Sequence, residues 1–193
     1  MGRRIVVLQG HPDPAGGHYC HALADAYAGA ATKAGHEVHR IAVAELDFPW
    51  LRNKHEFESE PPPPVIVAAQ QAILHAEHLL IIYPLWLGAM PAQFKAFLEQ
   101  TLREGFAFEI GPRGPAGRLR GRSARIVVTM GMPALFYRLY FGAHSVKALE
   151  RSILGFCGIR PIRNSLIGNV ESPDGALRGR WLEKMEALGR AGD

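Results

Sequence analysis

The sequence has few cysteines and no long apolar run. Its two cysteines, Cys20 and Cys157, lie far apart and have no CxxC or metal-like spacing, which argues against a disulfide framework. No apolar stretch approaches the length of a membrane span, and the one near the N-terminus is too short for a secretory signal. We therefore expect a cytoplasmic protein that is not membrane-embedded, with both cysteines packed inside it.

The sequence also lacks a long block of charge of one sign, although arginines are denser from Arg113 to Arg125. Charged residues make up 21% of the chain, hydrophobic residues 48%, and the formal net charge is +4, which is the composition of a folded globular protein. The basic residues are scattered and are not interleaved with aromatic residues, so a nucleic-acid partner is not expected. The histidines show no metal-ligand spacing, and we expect no metal. A small ligand bearing phosphate would suit this charge.

Short apolar segments alternate with amphipathic segments along the chain. The predicted strands are residues 4–9, 37–43, 78–83, 125–129 and 160–167. The predicted helices are residues 18–34, 65–75, 92–103, 145–156 and 174–190. This alternation predicts an α/β fold, a doubly wound five-stranded parallel sheet with helices on both faces, in a single domain across residues 1–193.

The stretch 83–97, YPLWLGAMPAQFKAF, follows a strand predicted to be buried on both faces. Pro84 ends that strand, Gly88 allows an unusual backbone conformation, and Pro91 suits the first turn of the next helix. The loop between them carries Leu85, Trp86, Leu87 and Met90 at the carboxyl end of a strand, where open α/β sheets bind ligands. The residues favour a flat, mostly apolar ligand. The alternative is that Trp86 only packs under the edge of the sheet.

Two further strand exits carry glycine and proline. Residues 10–17, GHPDPAGG, join the first strand to a helix, an arrangement in which backbone N–H groups and a helix N-terminus bind phosphate. A plain strand-to-helix turn is the alternative, since the segment is neither a Walker motif nor GxGxxG. Residues 130–137, MGMPALFY, follow the fourth strand. The long segment 44–64 is predicted to be a surface loop in which Phe48 and Trp50 cover the core or reach a neighbouring subunit.

These motifs together resemble the NAD(P)H:quinone oxidoreductase branch of the flavodoxin-like flavoproteins. The resemblance runs through GHP at residues 10–12, YPLW and MPAQFKAF within residues 83–97, GFAF at 105–108 and ILGFCGI at 153–159. It implies a flavodoxin-like sheet and an NAD(P)H dehydrogenase that reduces quinones, azo or nitro compounds by ping-pong, two-electron hydride transfer. It also implies a flavin cofactor, FAD or FMN, NAD(P)H as co-substrate, and a homodimer.

The resemblance assigns residues to the flavin. The phosphate would lie on the loop from His11 to Tyr19, where His18-Tyr19-Cys20 stands in place of the family's usual Ser-Phe-Asn, so that backbone amides and a charged His18 replace the hydroxyl. Tyr137 would lie near the hydride-exchange face, with His144 as its partner. The cofactor-binding residues implied are His11, Gly17, His18, Tyr19, Pro84, Leu85, Trp86, Leu87, Gly88, Thr129, Met130, Gly131 and Met132.

Two other functions share this fold. One is a regulatory subunit with low turnover, similar to the ancillary flavoproteins of potassium-efflux systems, which would be retained on a transporter's cytosolic domain. The other is a one-electron flavodoxin carrier, which the basic charge disfavours because such carriers are typically acidic. The aromatic segments around Phe48, Trp50 and residues 136–141 support the expected dimer.

Overall fold

The computed structural model describes residues 2–112, 114–173 and 175–193, and it shows a five-stranded parallel sheet. The strands in chain order are β1 (Arg4–Gln9), β2 (Glu37–Ala42), β3 (His78–Pro84), β4 (Phe108–Gly111), β5 (Gly114–Gly117), β6 (Ser123–Thr129) and β7 (Ile162–Ile167). The sheet has the order β2-β1-β3-β6-β7, while β4 and β5 pair separately as an antiparallel hairpin. The predicted α/β class and doubly wound sheet are confirmed.

Helices cover both faces of this sheet. They are α1 (Tyr19–Lys33), α2 (Lys54–Glu58), α3 (Pro64–His75), α4 (Ala92–Thr101), α5 (Ala134–Leu139), α6 (His144–Lys147) and α7 (Gly175–Ala191). The side chains of each strand alternate between the two faces. In β1, Ile5 and Val7 pack in the cluster that contains α1 and α7, whereas Val6 and Leu8 pack in the cluster that contains α3 and α4.

The central strands are buried because helices cover them on both sides. Every residue of β3 is buried, and in β6 every residue after Ser123 is buried. The edge strand β2 is mostly exposed, in agreement with its predicted edge position. Gly35 has a φ of 85° just after α1, and its N–H donates to the Thr32 carbonyl, so this glycine ends the helix in the way the sequence predicts.

Three segments differ from the sequence-based expectations. The long loop after β2 contains a 3₁₀ turn (Val43–Glu45) and α2, which Asn53 caps by accepting the Glu56 N–H at 2.9 Å. Residues 108–111 and 114–117, where the sequence predicts no strand, form the β4–β5 hairpin. The expected helix 145–156 is α6 followed by a π-helix, Ala148–Leu154. The last helix was predicted to begin at Asp174, which lies outside the described residues.

Among the described residues, no helix combines the length and the apolar character that crossing a bilayer requires.

Candidate active site

The exits of β1, β3 and β6 lie together at the carboxyl edge of the sheet. β1 connects through α1 to β2 on one side and pairs with β3 on the other, so the chain changes direction between β1 and β3. Open α/β sheets bind ligands at such a switch point. The Leu85 N–H donates to the Thr129 carbonyl at 2.8 Å, and this bond ties the β3 exit to the β6 exit.

The loop after β1 is shaped by Asp13 and two glycines. Asp13 accepts hydrogen bonds from the Ala15 N–H at 2.9 Å and from His18 Nε2 at 2.7 Å, so both carboxylate oxygens are used within the loop. Gly16 and Gly17 have φ values of 74° and 76°, a backbone conformation that residues with a Cβ atom rarely adopt. These turns bring the chain back to His18, the residue that precedes α1.

Three histidine rings gather over this loop. His11 stacks on His18 with ring centroids 4.0 Å apart, and His21 lies 5.0 Å from His11 and 5.7 Å from His18. Burial, reinforced by His18 and His21, lowers the pKa of His11 to about 4. Burial likewise lowers the pKa of His21, and the hydrogen bond from His18 lowers the pKa of the Asp13 carboxyl. Within the described part of the chain, no group of His, Cys, Asp and Glu is arranged to hold a metal.

The loop and the start of α1 fit a phosphate group. No side chain caps the amino end of α1 within the described residues, so its first N–H groups keep their capacity to bind an anion. Gln9 Nε2 and His21 Nδ1, just beneath the loop, are buried and have no hydrogen-bond partner in the described structure. The space beside Gly16 and Gly17 is open, since a Cβ added at either residue would have nothing within 4 Å. A phosphate-bearing cofactor therefore suits this loop.

The β3 exit forms a tight turn that presents apolar side chains. Trp86 and Ala89 exchange two backbone hydrogen bonds of 2.9 Å, and between them Leu87 and Gly88 have φ values of 47° and 79°. Positive φ at both central residues defines a type I′ turn, which costs a leucine about 1 kcal/mol. Leu87 is fully exposed and Trp86 is about half exposed, at 107% and 52%. The Trp86 ring stands edge-on to His11, with centroids 6.2 Å apart, so the apolar turn borders the phosphate loop.

The β6 exit forms the third side of the candidate site. Thr129 Oγ1 lies 3.1 Å from Cys20 Sγ of α1, and burial raises the pKa of that thiol to about 12. Gly131 is exposed, and the position of an added Cβ there would lie 3.3 Å from a Glu171 carboxylate oxygen. The chain thus brings an exposed glycine and a carboxylate to the carboxyl edge of the sheet.

Tyr137 and His144, the expected catalytic pair, are not hydrogen-bonded to each other in the described structure. The Tyr137 side chain is buried, and its hydroxyl lies 2.8 Å from Ser145 Oγ. His144 is exposed, and its ring lies over Gly142. The two residues flank the short connection between α5 and α6, but the tyrosine hydroxyl interacts with Ser145 rather than with His144.

A comparison with known protein families agrees with the fold and with the loops at the switch point. The model of a family described as having a flavodoxin-like fold matches residues 3–188. The chain belongs to this flavodoxin-like family. The resemblance seen in the sequence is therefore confirmed at the level of the family.

Relatives within the flavodoxin-like proteins carry oxidoreductase names. The "FMN-dependent NADH:quinone oxidoreductase 1" of Colwellia psychrerythraea is 31% identical over 113 residues, which is 57% of this chain and 57% of the relative. An "Uncharacterized NAD(P)H oxidoreductase" of Haemophilus influenzae is 24% identical over 143 residues, 72% of this chain and 71% of the relative. The match thus spans little more than half of the first relative's length.

A solved structure supports the fold. The NAD(P)H:quinone oxidoreductase from Methanothermobacter marburgensis superposes with a TM-score of 0.83 at 19% identity, covering 100% of both chains. At this level of identity the likeness establishes a shared flavodoxin-like architecture.

The structure separates the predicted cofactor residues by where their side chains lie. Gly17, His18, Trp86, Leu87, Gly88 and Gly131 are exposed at the carboxyl edge, and Leu85 and Met132 are half-buried there. Pro84, Thr129 and Met130 are buried and hold the loops in place. The Tyr19 hydroxyl donates to the Arg178 carbonyl of α7, so Tyr19 offers the edge only its backbone.

Three residues at this edge were not among the predicted site residues. Gln9 ends β1, His21 lies three residues after His18 on the same face of α1, and Glu171 reaches Gly131 from the loop after β7. The spacing of His18 and His21 was a usable signal, because residues three apart share a helix face. No local pattern marks Gln9 or Glu171.

Proposed function

We propose that the protein is an FMN-dependent NAD(P)H dehydrogenase that reduces quinones, or related azo and nitro compounds, in two-electron steps. One observation carries the proposal: the uncapped amino end of α1 and the exposed Trp86 turn border each other at the switch point of the sheet. A phosphate site beside an apolar wall suits a flavin mononucleotide.

Different residues of the described structure would bind different parts of the flavin. The backbone N–H groups of Gly17, His18 and Tyr19 would bind the phosphate, as at other helix amino ends. Trp86 and Leu87 would cover one edge of the ring system, and the backbone around Gly131 would donate to its polar edge. The bound flavin would supply the redox chemistry by accepting a hydride and passing two electrons to the acceptor. In a ping-pong cycle, nicotinamide and quinone would use the same open cleft in turn.

FMN is favoured over FAD as the proposed cofactor. The Colwellia relative is named as FMN-dependent, and it is 31% identical over the matched region. NADH or NADPH is the proposed hydride source. We also propose that residues 1–193 act as one domain, in the cytoplasm where NAD(P)H is available, and as a homodimer.

Tyr137 and His144 belong to this proposal as groups near the hydride-exchange face. His144 is exposed, so we expect His144→Gln to leave the unfolding free energy unchanged and to lower quinone turnover about tenfold. Tyr137→Phe should also lower quinone turnover. In addition, it removes the hydrogen bond to Ser145, so we expect it to lower the unfolding free energy by about 1 kcal/mol. Stopped-flow reduction by NAD(P)H and urea unfolding separate the two effects. Unchanged kinetics in both variants would remove the pair from the site.

The absorbance spectrum of the purified protein tests the function directly. We expect visible flavin bands after addition of FMN, bleaching by NAD(P)H, and return of the bands on addition of a quinone. Trp86→Ala should weaken FMN binding, whereas Trp50→Ala, which changes an exposed tryptophan on the loop after β2, should not. Flavin that binds but is never reduced by NAD(P)H would contradict the enzyme and leave the ancillary-subunit function. Failure to bind any flavin would also contradict the enzyme and would favour a regulatory subunit that acts by binding a partner.

A further inference from the structure

The loop after β1 gathers three imidazoles around one carboxylate. His11, His18 and His21 have ring centroids between 4.0 and 5.7 Å apart, and only His18 pairs with Asp13. His11 Nδ1 accepts the Asp13 N–H at 3.2 Å, so a neutral His11 carries its proton on Nε2. At such distances charged rings repel one another strongly, and burial together with this repulsion lowers the pKa of His11 and the pKa of His21.

Unpaired donors lie directly beneath this cluster. Gln9 is 5% exposed, and its Oε1 accepts the His11 N–H at 3.0 Å, which fixes the orientation of the amide and leaves Nε2 without a partner among the described residues. His21 Nδ1 is buried and also lacks a partner there. Gln9, His11 and His21 line one cleft of about 280 Å³ between the loop and the end of β2. A buried amide N–H without a partner costs free energy that a bound acceptor would recover.

The arginine that lines this cleft is already paired with a carboxylate. Of the described lining residues, Arg40 is the one Lys or Arg, and it pairs with Asp25. The other charged or titratable groups that face the histidines are Asp13 and Glu45. Within the described lining of this cleft, a dianion therefore finds no unpaired Lys or Arg, and the imidazoles of His11 and His21 are the groups there that can add positive charge by protonation.

We propose that His11, His18 and His21 form a proton-accepting receptor for a phosphomonoester dianion, the terminal phosphate of FMN. The phosphate arrives at the amino end of α1, His18 exchanges its bond to Asp13 for one to the phosphate, and His21 or His11 takes up a proton from solvent. Each proton taken up from solvent offsets one of the two negative charges of the dianion, and the backbone N–H groups at the amino end of α1 interact with the remaining charge. This inference rests on the proposed flavin function and adds His21 and Gln9 to the residues that recognise the cofactor.

Two consequences follow from this receptor, and the second distinguishes it from a loop of neutral donors. Flavin affinity should depend on the phosphate, so riboflavin should bind much more weakly than FMN. The affinity for FMN should also fall as pH rises, by up to about tenfold per pH unit for each proton taken up. The dependence is best observed above about pH 6.5, where the phosphate itself, with a second pKa of about 6, is a dianion.

Calorimetric titration of the apoprotein tests the receptor without measuring catalysis. FMN and riboflavin are titrated between about pH 6.5 and about pH 8.5, in two buffers of different ionisation enthalpy, because the difference in heat counts the protons taken up. We expect at least about half a proton per FMN near neutral pH and none for riboflavin. FMN binding with no proton uptake and no pH dependence would overturn the receptor while leaving the flavoprotein intact. Absence of binding by both flavins would overturn the proposed function itself.

Matched substitutions locate the protons. His18→Gln and His21→Gln should each raise the FMN dissociation constant about tenfold near neutral pH and reduce the proton uptake, with riboflavin binding unchanged. His39→Gln is the control, because His39 is exposed on β2 and, among the described residues, makes no ring contact with the three histidines. His11→Gln completes the set, because the proposal allows the proton to reside on His11 as well. Proton uptake that stays at the unsubstituted level in His11→Gln, His18→Gln and His21→Gln alike would place the protons elsewhere and contradict the receptor.

Discussion

His78, the first residue of β3, is a histidine without exposed surface at the amino edge of the sheet. Its Nδ1 lies 2.8 Å from Ser123 Oγ, while Nε2 has no partner among the described residues. Burial, reinforced by the positive charge of Arg3, lowers the pKa of His78 to about 4. The folded state therefore holds this ring neutral at a pH where an unfolded chain, with a histidine pKa of about 6.5, would protonate it.

This shift predicts how stability responds to acid. The contribution of a neutral His78 is complete above about pH 6.5 and is lost as pH falls toward its folded pKa of about 4, at a total cost of about 3 kcal/mol. Urea unfolding at several pH values between these limits measures the slope. We expect His78→Gln to have a shallower loss of stability on acidification than the unsubstituted protein, because glutamine does not titrate.

His39→Gln provides the comparison for this prediction. His39 is exposed on β2, so its replacement should leave the acid dependence unchanged. Equal slopes for the unsubstituted protein and both variants would show that His78 is not the group that couples folding to protons.

At the scale of elements, α1 and α7 approach closely where α7 carries a glycine. A Cβ added at Gly189 would lie 2.2 Å from the Tyr27 carbonyl oxygen of α1 and 3.2 Å from the Ala31 nitrogen. Gly179, in the same helix, has nothing within 4 Å of the same position. The close packing of the two helix backbones therefore requires a glycine at position 189, whereas position 179 has room for a side chain.

Alanine substitution should separate these two glycines. Gly189→Ala should lower the unfolding free energy by about 1–3 kcal/mol, because rigid backbone must move apart. Gly179→Ala should raise it by about 0.5–1 kcal/mol, since alanine favours a helix interior. Denaturant unfolding measures both. A stabilising effect at Gly189 would mean that the two helices do not approach as closely as described.

At the scale of the whole molecule, α5 presents a largely apolar surface near the candidate site. The Phe136 ring stacks on Tyr140 and meets Phe141 edge-on, with centroids 4.9 and 5.5 Å apart, and all three side chains are exposed. Leu139, on the same short helix, is 76% exposed. Clustered exposed aromatic residues are typical of protein interfaces. This α5 surface supports the proposed homodimer.

Charge placed on the α5 surface should disrupt the dimer. We expect a dimer for the unsubstituted protein and a monomer for Leu139→Glu in light scattering coupled to size exclusion, because a buried unpaired carboxylate at an interface is costly. Leu74→Glu is the control, since Leu74 is an exposed leucine of α3 at 40% exposure. A monomeric unsubstituted protein at micromolar concentration would remove the dimer from the proposal.

The sequence by itself determined the class of fold and the position of the candidate site. Buried strands such as β3 appear as short apolar runs, Gly35 and Pro84 mark where elements end, and Gly88 marks a turn. These signals are readable because burial, periodicity and backbone preference act over a few neighbouring residues. The three exit loops could therefore be placed at one sheet edge from the order of the elements alone. The roles assigned to their individual side chains stay predictions.

Only the tertiary structure decided which side chains meet. It placed Phe48 in the core and left Trp50 exposed, where the sequence allowed either position. It set the Tyr137 hydroxyl against Ser145, paired β4 with β5, and brought Glu171 to Gly131 across 40 residues of chain. Such contacts depend on the packing of distant segments, and that packing leaves no periodic signal in the residues themselves.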